Sequence, residues 1–241
     1  MDRVVPPDFL RLAAHPVRWR LMSALAVSDL RVRELVGQVG EPQNLVSYHL
    51  RLLRDGGLVT ATRSSLDGRD SYYHLELDRC ADGLARSGGA LHPALVGASA
   101  GASPQPAGPV TVLFVCTGNS ARSPIAEVLL RGAAGGWVEV TSAGSHPKPT
   151  LHPQALRVLR ERCGIDLGAQ RPRHLESLAG RRFDVVVTLC DKAREVCPEF
   201  GDGSRRIHWS IADPAAGRVT FDRTADDIET RIRHLLPILA T

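Results

Sequence analysis

The sequence contains no run approaching the roughly 18 uninterrupted apolar residues of a membrane span. Its first residues, Met1-Asp2-Arg3-Val4-Val5-Pro6-Pro7, lack the apolar core of a secretory signal. A cytoplasmic location with no membrane partner is the expectation. Cysteine is scarce: Cys80, Cys116, Cys163, Cys190 and Cys197 are all there is. In a reducing compartment these do not make a structural disulfide framework, so each is a candidate for chemistry or for simple burial. A strong charge of either sign is missing as well. Residues 1–100 hold 12 arginines against 11 acids, and the remainder holds 18 basic against 15 acidic residues, for a net charge of +4. That balance suits anionic partners without identifying one, so nucleic-acid binding would have to come from local placement. No internal repeat links the two halves.

What is present suffices for one or two ordinary cores, with 43% hydrophobic residues in a chain of 241. Between Gly97 and Pro109 the chain reads Gly-Ala-Ser-Ala-Gly-Ala-Ser-Pro-Gln-Pro-Ala-Gly-Pro, without a large apolar side chain and rich in flexible or extended formers. The expected organisation is therefore a domain over 1–95, a linker over 96–109 and a second domain over 110–241. All three tyrosines precede the linker and four of the five cysteines follow it.

In the first half, helical patterns run over 9–14, 16–26, 32–39 and 43–54, with Pro16 at a first-turn position. Alternation follows over 58–62 and 72–77, separated by a segment containing the hairpin signal Asp67-Gly68. This order suggests a winged helix-turn-helix. In the last helix, spacing buries Leu45, His49, Leu52 and Leu53 and turns Gln43, Asn44, Ser47, Tyr48, Arg51 and Arg54 outward, side chains suited to major-groove edges and phosphates. Arg63 and Arg69 in the wing add candidate phosphate contacts. A solvated amphipathic helix beside a protein-binding hairpin is the alternative for the same pattern. Leu12-Ala13-Ala14-His15-Pro16-Val17-Arg18, together with Asn44-Leu45-Val46-Ser47-Tyr48-His49-Leu50-Arg51-Leu52-Leu53-Arg54-Asp55-Gly56-Gly57-Leu58-Val59, resembles the arsenic-repressor (ArsR-type) winged-helix family over about residues 8–80. That resemblance implies binding of a double-stranded DNA operator as a homodimer. Family members commonly sense arsenite or metals through a short Cys-x-Cys pattern before the recognition helix. Here the stretch is Asp29-Leu30-Arg31-Val32-Arg33-Glu34-Leu35, and a guanidinium that stays protonated is no metal ligand, so no metal site is expected. Arg31 and Arg33 read as solvated face. Cys80 reads as a small buried thiol, and residues 79–95 as too glycine-rich for a dimer helix.

The second half opens with an apolar run over 110–115 that ends at Cys116, and a helical pattern begins at Pro124. Later apolar runs over 137–142 and 183–189 alternate with helical stretches over 153–162 and 223–239. The implied fold is α/β, a parallel sheet with helices on its faces, with Cys116 at the carboxyl end of a strand where ligands of such sheets bind. Between strand and helix lies Cys116-Thr117-Gly118-Asn119-Ser120-Ala121-Arg122-Ser123. Consecutive backbone N–H groups at a helix N-terminus cradle a tetrahedral oxyanion. Gly118 offers freedom to turn, Arg122 a fork for two oxygens, and Ser123 a donor to the sulfur. The same surroundings are expected to lower the Cys116 pKa and make it a thiolate nucleophile.

From 112 to 239 the chain resembles the low-molecular-weight tyrosine phosphatase fold, shared by phosphatases and thiol-linked arsenate reductases. Both bind a tetrahedral oxyanion. The segment Thr188-Leu189-Cys190-Asp191-Lys192-Ala193-Arg194-Glu195-Val196-Cys197-Pro198 is similar to the redox segment of the thioredoxin-linked reductases, and His208-Trp209-Ser210-Ile211-Ala212-Asp213-Pro214-Ala215 to their acid loop. Phosphatases of the family usually carry Asp-Pro-Tyr where this chain has Asp213-Pro214-Ala215. The resemblance implies attack of Cys116 on arsenate, protonation of the departing oxygen by Asp213, a second attack by Cys190, and resolution by Cys197 to a Cys190–Cys197 disulfide that thioredoxin or a similar thiol reductant restores. No tightly bound cofactor is implied. Some related reductases bind potassium through positions matching Asn119, Glu127 and Ser142, with a further acid replaced around His174. Cys163 is expected to be structural.

One geometric consequence is independent of the resemblance. Seven residues of helix span about 10.5 Å, whereas disulfide-bonded Cα atoms lie within about 7 Å. A helix between Cys190 and Cys197 must therefore unwind on oxidation. Three whole-chain readings compete: a DNA-binding regulator joined to an arsenate reductase, the same joined to a tyrosine or small-molecule phosphatase, and an oxyanion or redox sensor that controls DNA affinity.

Overall fold

The structure, a computed structural model, describes residues 5–92, 95, 108–200, 203–217 and 219–240. The chain divides into two compact units, residues 1–102 and 103–241. Of the expected linker, residues 96–107 lie outside the described residues. Among the described residues, no helix is long and apolar enough to cross a membrane.

The N-terminal unit runs α1 (Asp8–Ala13), α2 (Pro16–Leu25), β1 (Leu30–Arg31), α3 (Val32–Val39), α4 (Gln43–Asp55), β2 (Val59–Arg63), β3 (Ser71–Leu75) and α5 (Leu77–Leu91), with its three strands antiparallel in the order β1-β3-β2. Pro16 starts α2, and the His15 ring accepts from the Val17 amide at 3.2 Å as its cap. Gly40 closes α3 at φ 70°, a left-handed cap. Helix α4 buries Val46, His49, Leu50 and Leu53. This corrects the expected stripe: Leu45 and Leu52 are only half-buried. At 3.6 residues per turn Leu52, Leu45, Leu53, Val46 and Leu50 share an arc of about 160°, with Leu45 and Leu52 towards one edge of it. Packing against both α2 and α3 buries the side centred between Val46 and Leu53.

Arg31 also departs from the solvated role expected of it. Its side chain is 14% exposed, ion-paired with Glu34 and Asp70 and lying 5.4 Å over the Tyr72 ring. The cause is β1, too short to be read from alternation, which pairs Arg31 with Tyr72. Arg33 is exposed, as expected. The segment after β3 forms α5 in spite of its glycines. Gly83 is what α1 requires there, because a Cβ at that position would stand 2.5 Å from the Phe9 ring. Cys80 on the same helix is buried, and that burial pushes its thiol up to about 11.

The C-terminal unit runs β4 (Val110–Cys116), α6 (Arg122–Ala133), β5 (Val138–Gly144), α7 (Pro153–Cys163), β6 (Val185–Thr188), α8 (Asp191–Val196), β7 (Arg205–His208) and α9 (Phe221–Leu239), with short 3-10 turns at Leu175–Leu178 and Pro214–Ala216. The four strands are parallel in the order β5-β4-β6-β7. Helices α6, α7 and α9 pack together, with α6 against β4 and β5, while α8 packs against β4 and β6. The core includes Val112, Phe114, Ile125, Val158, Val187, Ile228 and Leu235. From β4 the chain first steps outward to β5 and then back across to β6, which places the topological switch between the carboxyl ends of β4 and β6. Ligands of open α/β sheets bind at such a crevice. Cys116 ends β4, and Cys190 follows β6 by two residues.

Candidate active site

The loop 117–121 is shaped from outside. The carbonyl of Thr117 accepts from the His146 amide at 2.8 Å, that of Gly118 from Lys148 at 2.9 Å and that of Ser120 from His152 at 2.8 Å. In a trans peptide the N–H of the next residue points opposite to the carbonyl. Outward carbonyls therefore turn the amides of Gly118, Asn119 and Ala121 inward, towards one centre. The Asn119 amide accordingly donates to Cys116 Sγ at 3.2 Å. The segment 145–152 that imposes this order carries no motif, and sequence reasoning missed it.

Asn119, rather than Gly118, makes the left-handed turn, at φ 43°. Asparagine tolerates this region, and its side chain is fully engaged: Nδ2 donates to Ser123 Oγ and Ser142 Oγ, both at 2.9 Å, and Oδ1 accepts from the Arg173 amide at 2.7 Å. The glycine at 118 serves close packing, since a Cβ there would lie 3.2 Å from both Lys148 Cγ and Ser120 Oγ. Gly144 is a second residue that the sequence did not reveal. It pairs in register with Cys116, and a Cβ on it would stand 2.6 Å from the Thr117 carbonyl oxygen and 2.8 Å from the Asn119 nitrogen. Gly144→Ala is expected to displace the loop, costing about 1–3 kcal/mol of stability and roughly 100-fold in activity, the effect of an error near 1 Å in a positioned site. Wild-type melting and turnover in this variant would count against that packing.

Cys116 is buried, and its sulfur lies 3.0 Å from Ser123 Oγ. Burial pushes its thiol up, outweighing the opposing influence of Arg122 and Ser123. This corrects the lowered value expected from a helix N-terminus. Burial of the sulfur is the reason. The Arg122 guanidinium is engaged nearby: Nη1 donates to the Ile211 carbonyl at 3.0 Å and Nη2 to Asp213 Oδ2 at 3.1 Å. Its Nε is buried with no hydrogen-bond partner, a donor that an oxyanion would satisfy. Asp213 caps the 3-10 turn through Oδ1, accepting from the Ala215 amide at 3.1 Å, and its side chain remains 48% exposed. It thus stands at the mouth of the loop, on the guanidinium that would hold the substrate.

The other cysteines separate by position. Cys190 is the residue before α8, buried, with Sγ 3.3 Å from Thr117 Oγ1, the side chain next to Cys116 in sequence. Cys197 follows the same helix and is buried too. All five cysteines are free thiols. Cys163 stands apart from the site. It is exposed at the end of α7, where the helix stops at Gly164.

The potassium ligands implied by resemblance do not fit an ion. Ser142 Oγ accepts from Asn119 Nδ2, Asn119 Oδ1 accepts from the Arg173 amide, and Glu127 Oε1 accepts from Arg131 Nη2, which also donates to the Val140 carbonyl at 3.0 Å. A guanidinium already supplies the positive charge there. His174 accepts from the Glu176 amide as a cap. Among the described residues, no group of three or more His, Cys, Asp or Glu side chains is placed to hold a metal.

In the N-terminal unit, Gln43, Asn44, Ser47, Tyr48, Arg51 and Arg54 all lie on α4 facing away from its buried stripe, with the Arg51 guanidinium 5.6 Å from the centre of the Tyr48 ring. Arg63 and Arg69 are exposed in the wing. Arg63 donates to the Gly68 carbonyl at 2.6 Å, and the Arg69 amide donates to Asp67 Oδ1 at 3.0 Å.

Residues 111–241 match the family of low molecular weight phosphotyrosine protein phosphatases, and residues 15–61 the bacterial regulatory proteins of the arsR family. An arsenate reductase of Brevibacillus brevis is 37% identical over 124 residues, 51% of this chain and 91% of its own length. One of Halalkalibacterium halodurans is 35% identical over 129 residues, with the same two shares. Among solved structures, a thioredoxin-dependent arsenate reductase of Corynebacterium glutamicum is 27% identical, with 91% of this chain and 96% of its own covered at a TM-score of 0.47.

Proposed function

The chain belongs to the low molecular weight phosphotyrosine protein phosphatase family and carries an arsR-type helix-turn-helix region ahead of that domain; from this we propose that it is a DNA-binding regulator joined to an arsenate reductase. The observation that carries the enzymatic reading is the placement of Cys190 beside the loop, 3.3 Å from Thr117 Oγ1. A phosphatase uses the loop cysteine, the arginine and the acid. It has no task for a second thiol at the switch point or a third at the far end of α8.

The loop amides and Arg122 hold arsenate against Cys116. Deprotonated Cys116 attacks arsenic while Asp213, released from Arg122, protonates the departing oxygen, which leaves as water. Cys190 then attacks Cys116 Sγ. The pair of electrons in the sulfur–arsenic bond passes to arsenic, so As(V) becomes As(III), arsenite leaves and a Cys116–Cys190 disulfide remains. Cys197 attacks Cys190, and Cys116 departs as thiolate. A thioredoxin-like dithiol reduces the resulting Cys190–Cys197 bond. Each step is carried by the thiols, the loop and Asp213.

In the N-terminal unit, α4 offers Gln43, Asn44, Ser47, Tyr48, Arg51 and Arg54 to the major groove of a double-stranded operator, with Arg63 and Arg69 reaching phosphates from the wing. Binding as a homodimer would match two half-sites. The functional boundaries are those read from sequence, 1–95 and 110–241, joined by 96–109.

The test of the enzymatic reading is arsenate-dependent consumption of NADPH in the presence of thioredoxin and thioredoxin reductase, run beside hydrolysis of p-nitrophenyl phosphate. Arsenate turnover is expected. Aryl phosphate hydrolysis without arsenate turnover would establish the phosphatase reading instead.

A further inference from the structure

Strand β7 grips both ends of α8, and it does so unequally. At the Cys190 end, Asp191 Oδ1 accepts from Ser210 Oγ at 2.8 Å and lies 3.2 Å from His208 Nε2, while His208 Nδ1 lies 2.9 Å from Thr188 Oγ1. Asp191, His208 and Thr188 are all buried. At the Cys197 end a part-buried hydrogen bond runs from β7, Arg206 Nη2 donating to the Cys197 carbonyl at 3.0 Å. Arg206 and His208 are two residues apart on β7, so they project from the same face of the strand. Fully buried hydrogen-bond networks are costly to break, more so than a single part-buried bond. These contacts anchor the Cys190 end of α8 the more deeply, and tie Arg206 to the Cys197 end.

Resting on the relay reading, we propose that Arg206 is the positioning residue of the resolving thiol: it holds Cys197 at the C-terminal end of α8 and stabilises the thiolate that attacks the Cys116–Cys190 disulfide. In that exchange the Cys197–Cys190 bond forms and the Cys116–Cys190 bond breaks. The electron pair leaves on Cys116, and the proton lost by Cys197 goes to solvent. The guanidinium has a second relation to this residue, because it faces the Cys197 thiol and opposes the rise that burial imposes. A thiol deep in protein is a poor nucleophile until a neighbouring cation favours its ionised form.

The test is one equivalent of arsenate added to reduced wild type, Arg206→Gln and Arg206→Lys in the absence of external reductant. Samples are acid-quenched, free thiols are alkylated, and each disulfide is identified by peptide mass. Wild type should proceed to Cys190–Cys197. Arg206→Gln should release arsenite at the wild-type rate, which verifies its fold, and then accumulate Cys116–Cys190. Its exchange should be slower by roughly 3- to 10-fold at pH 7, since each unit of thiol pKa changes the thiolate fraction tenfold and nucleophilicity returns part of it. The deficit should shrink as pH rises through the ordinary thiol range, and Arg206→Lys should stay near wild type. Exchange by Arg206→Gln at the wild-type rate and pH profile, or equal impairment of Arg206→Lys, overturns the assignment. If wild type forms neither disulfide, the relay itself fails, a result distinct from either of these.

Discussion

Cys116→Ser is expected to remove arsenate turnover by at least about 10⁴-fold, the scale on which loss of a catalytic nucleophile acts, while leaving arsenate binding in place. The two halves of this expectation come from different atoms. Chemistry needs the sulfur, since a serine hydroxyl at this buried position ionises far less readily than a thiol and cannot form the disulfide with Cys190. Binding depends on backbone. The amides of Gly118, Asn119 and Ala121 are turned inward by carbonyl bonds to His146, Lys148 and His152, and by the side-chain bonds of Asn119 to Ser123, Ser142 and Arg173. The substitution touches none of those bonds and keeps an oxygen within reach of Ser123. Calorimetric titration with arsenate should therefore give an affinity close to wild type, beside a coupled assay at background. Turnover within tenfold of wild type would remove Cys116 from the chemistry. Loss of binding with the fold intact would show that the sulfur, rather than the cradle of amides, holds the anion.

The parts of this site that the sequence disclosed are those in which chemistry and chain continuity coincide. The run from Val110 to Cys116, the eight-residue loop and the helix after it form one continuous segment, and an apolar strand followed by Gly, Asn, Ser and Arg has few other structural uses. The expected strand, loop and helix are accordingly found as β4, the 117–121 turn and α6. What stayed hidden depends on segments distant in sequence. Gly144 is an ordinary residue at a strand end until β5 pairs with β4 and sets it against Thr117 and Asn119. The raised thiol of Cys116 follows from burial that only the packed fold supplies. Helix α8 and strand β7 span six and four residues, too few for either period to emerge. The N-terminal unit repeats the lesson at Arg31, whose surroundings are set by a two-residue strand. On α4 the outward residues were read correctly, as were His49 and Leu53 inward, while Leu45 and Leu52 lie towards one edge of the apolar arc and are only half-buried.

Cys190→Ser is expected to bring arsenate-dependent NADPH consumption to background, a loss of at least about 10³-fold, with aryl phosphate hydrolysis, if the loop supports any, kept within a few-fold. Cys116, Ser123, Arg122 and Asp213 are untouched by the change, and the smaller hydroxyl can still meet Thr117 Oγ1, which lies 3.3 Å from the native sulfur. The loop should then bind arsenate and form its thiol adduct, but no nucleophile stands beside it to take up sulfur and send two electrons to arsenic. Reduction requires a disulfide to form for every arsenite released, because each arsenite takes two electrons and each disulfide yields two. The companion variant Cys197→Ser separates the next step. It retains Cys190 and should therefore release one equivalent of arsenite and stop, with a Cys116–Cys190 bond identifiable by peptide mass. A reductase drawing on external thiol alone would turn over in both variants. A relay through Cys190 and Cys197 yields no arsenite in the first and a single equivalent in the second, and steady turnover by Cys190→Ser at the wild-type rate would remove the relay altogether.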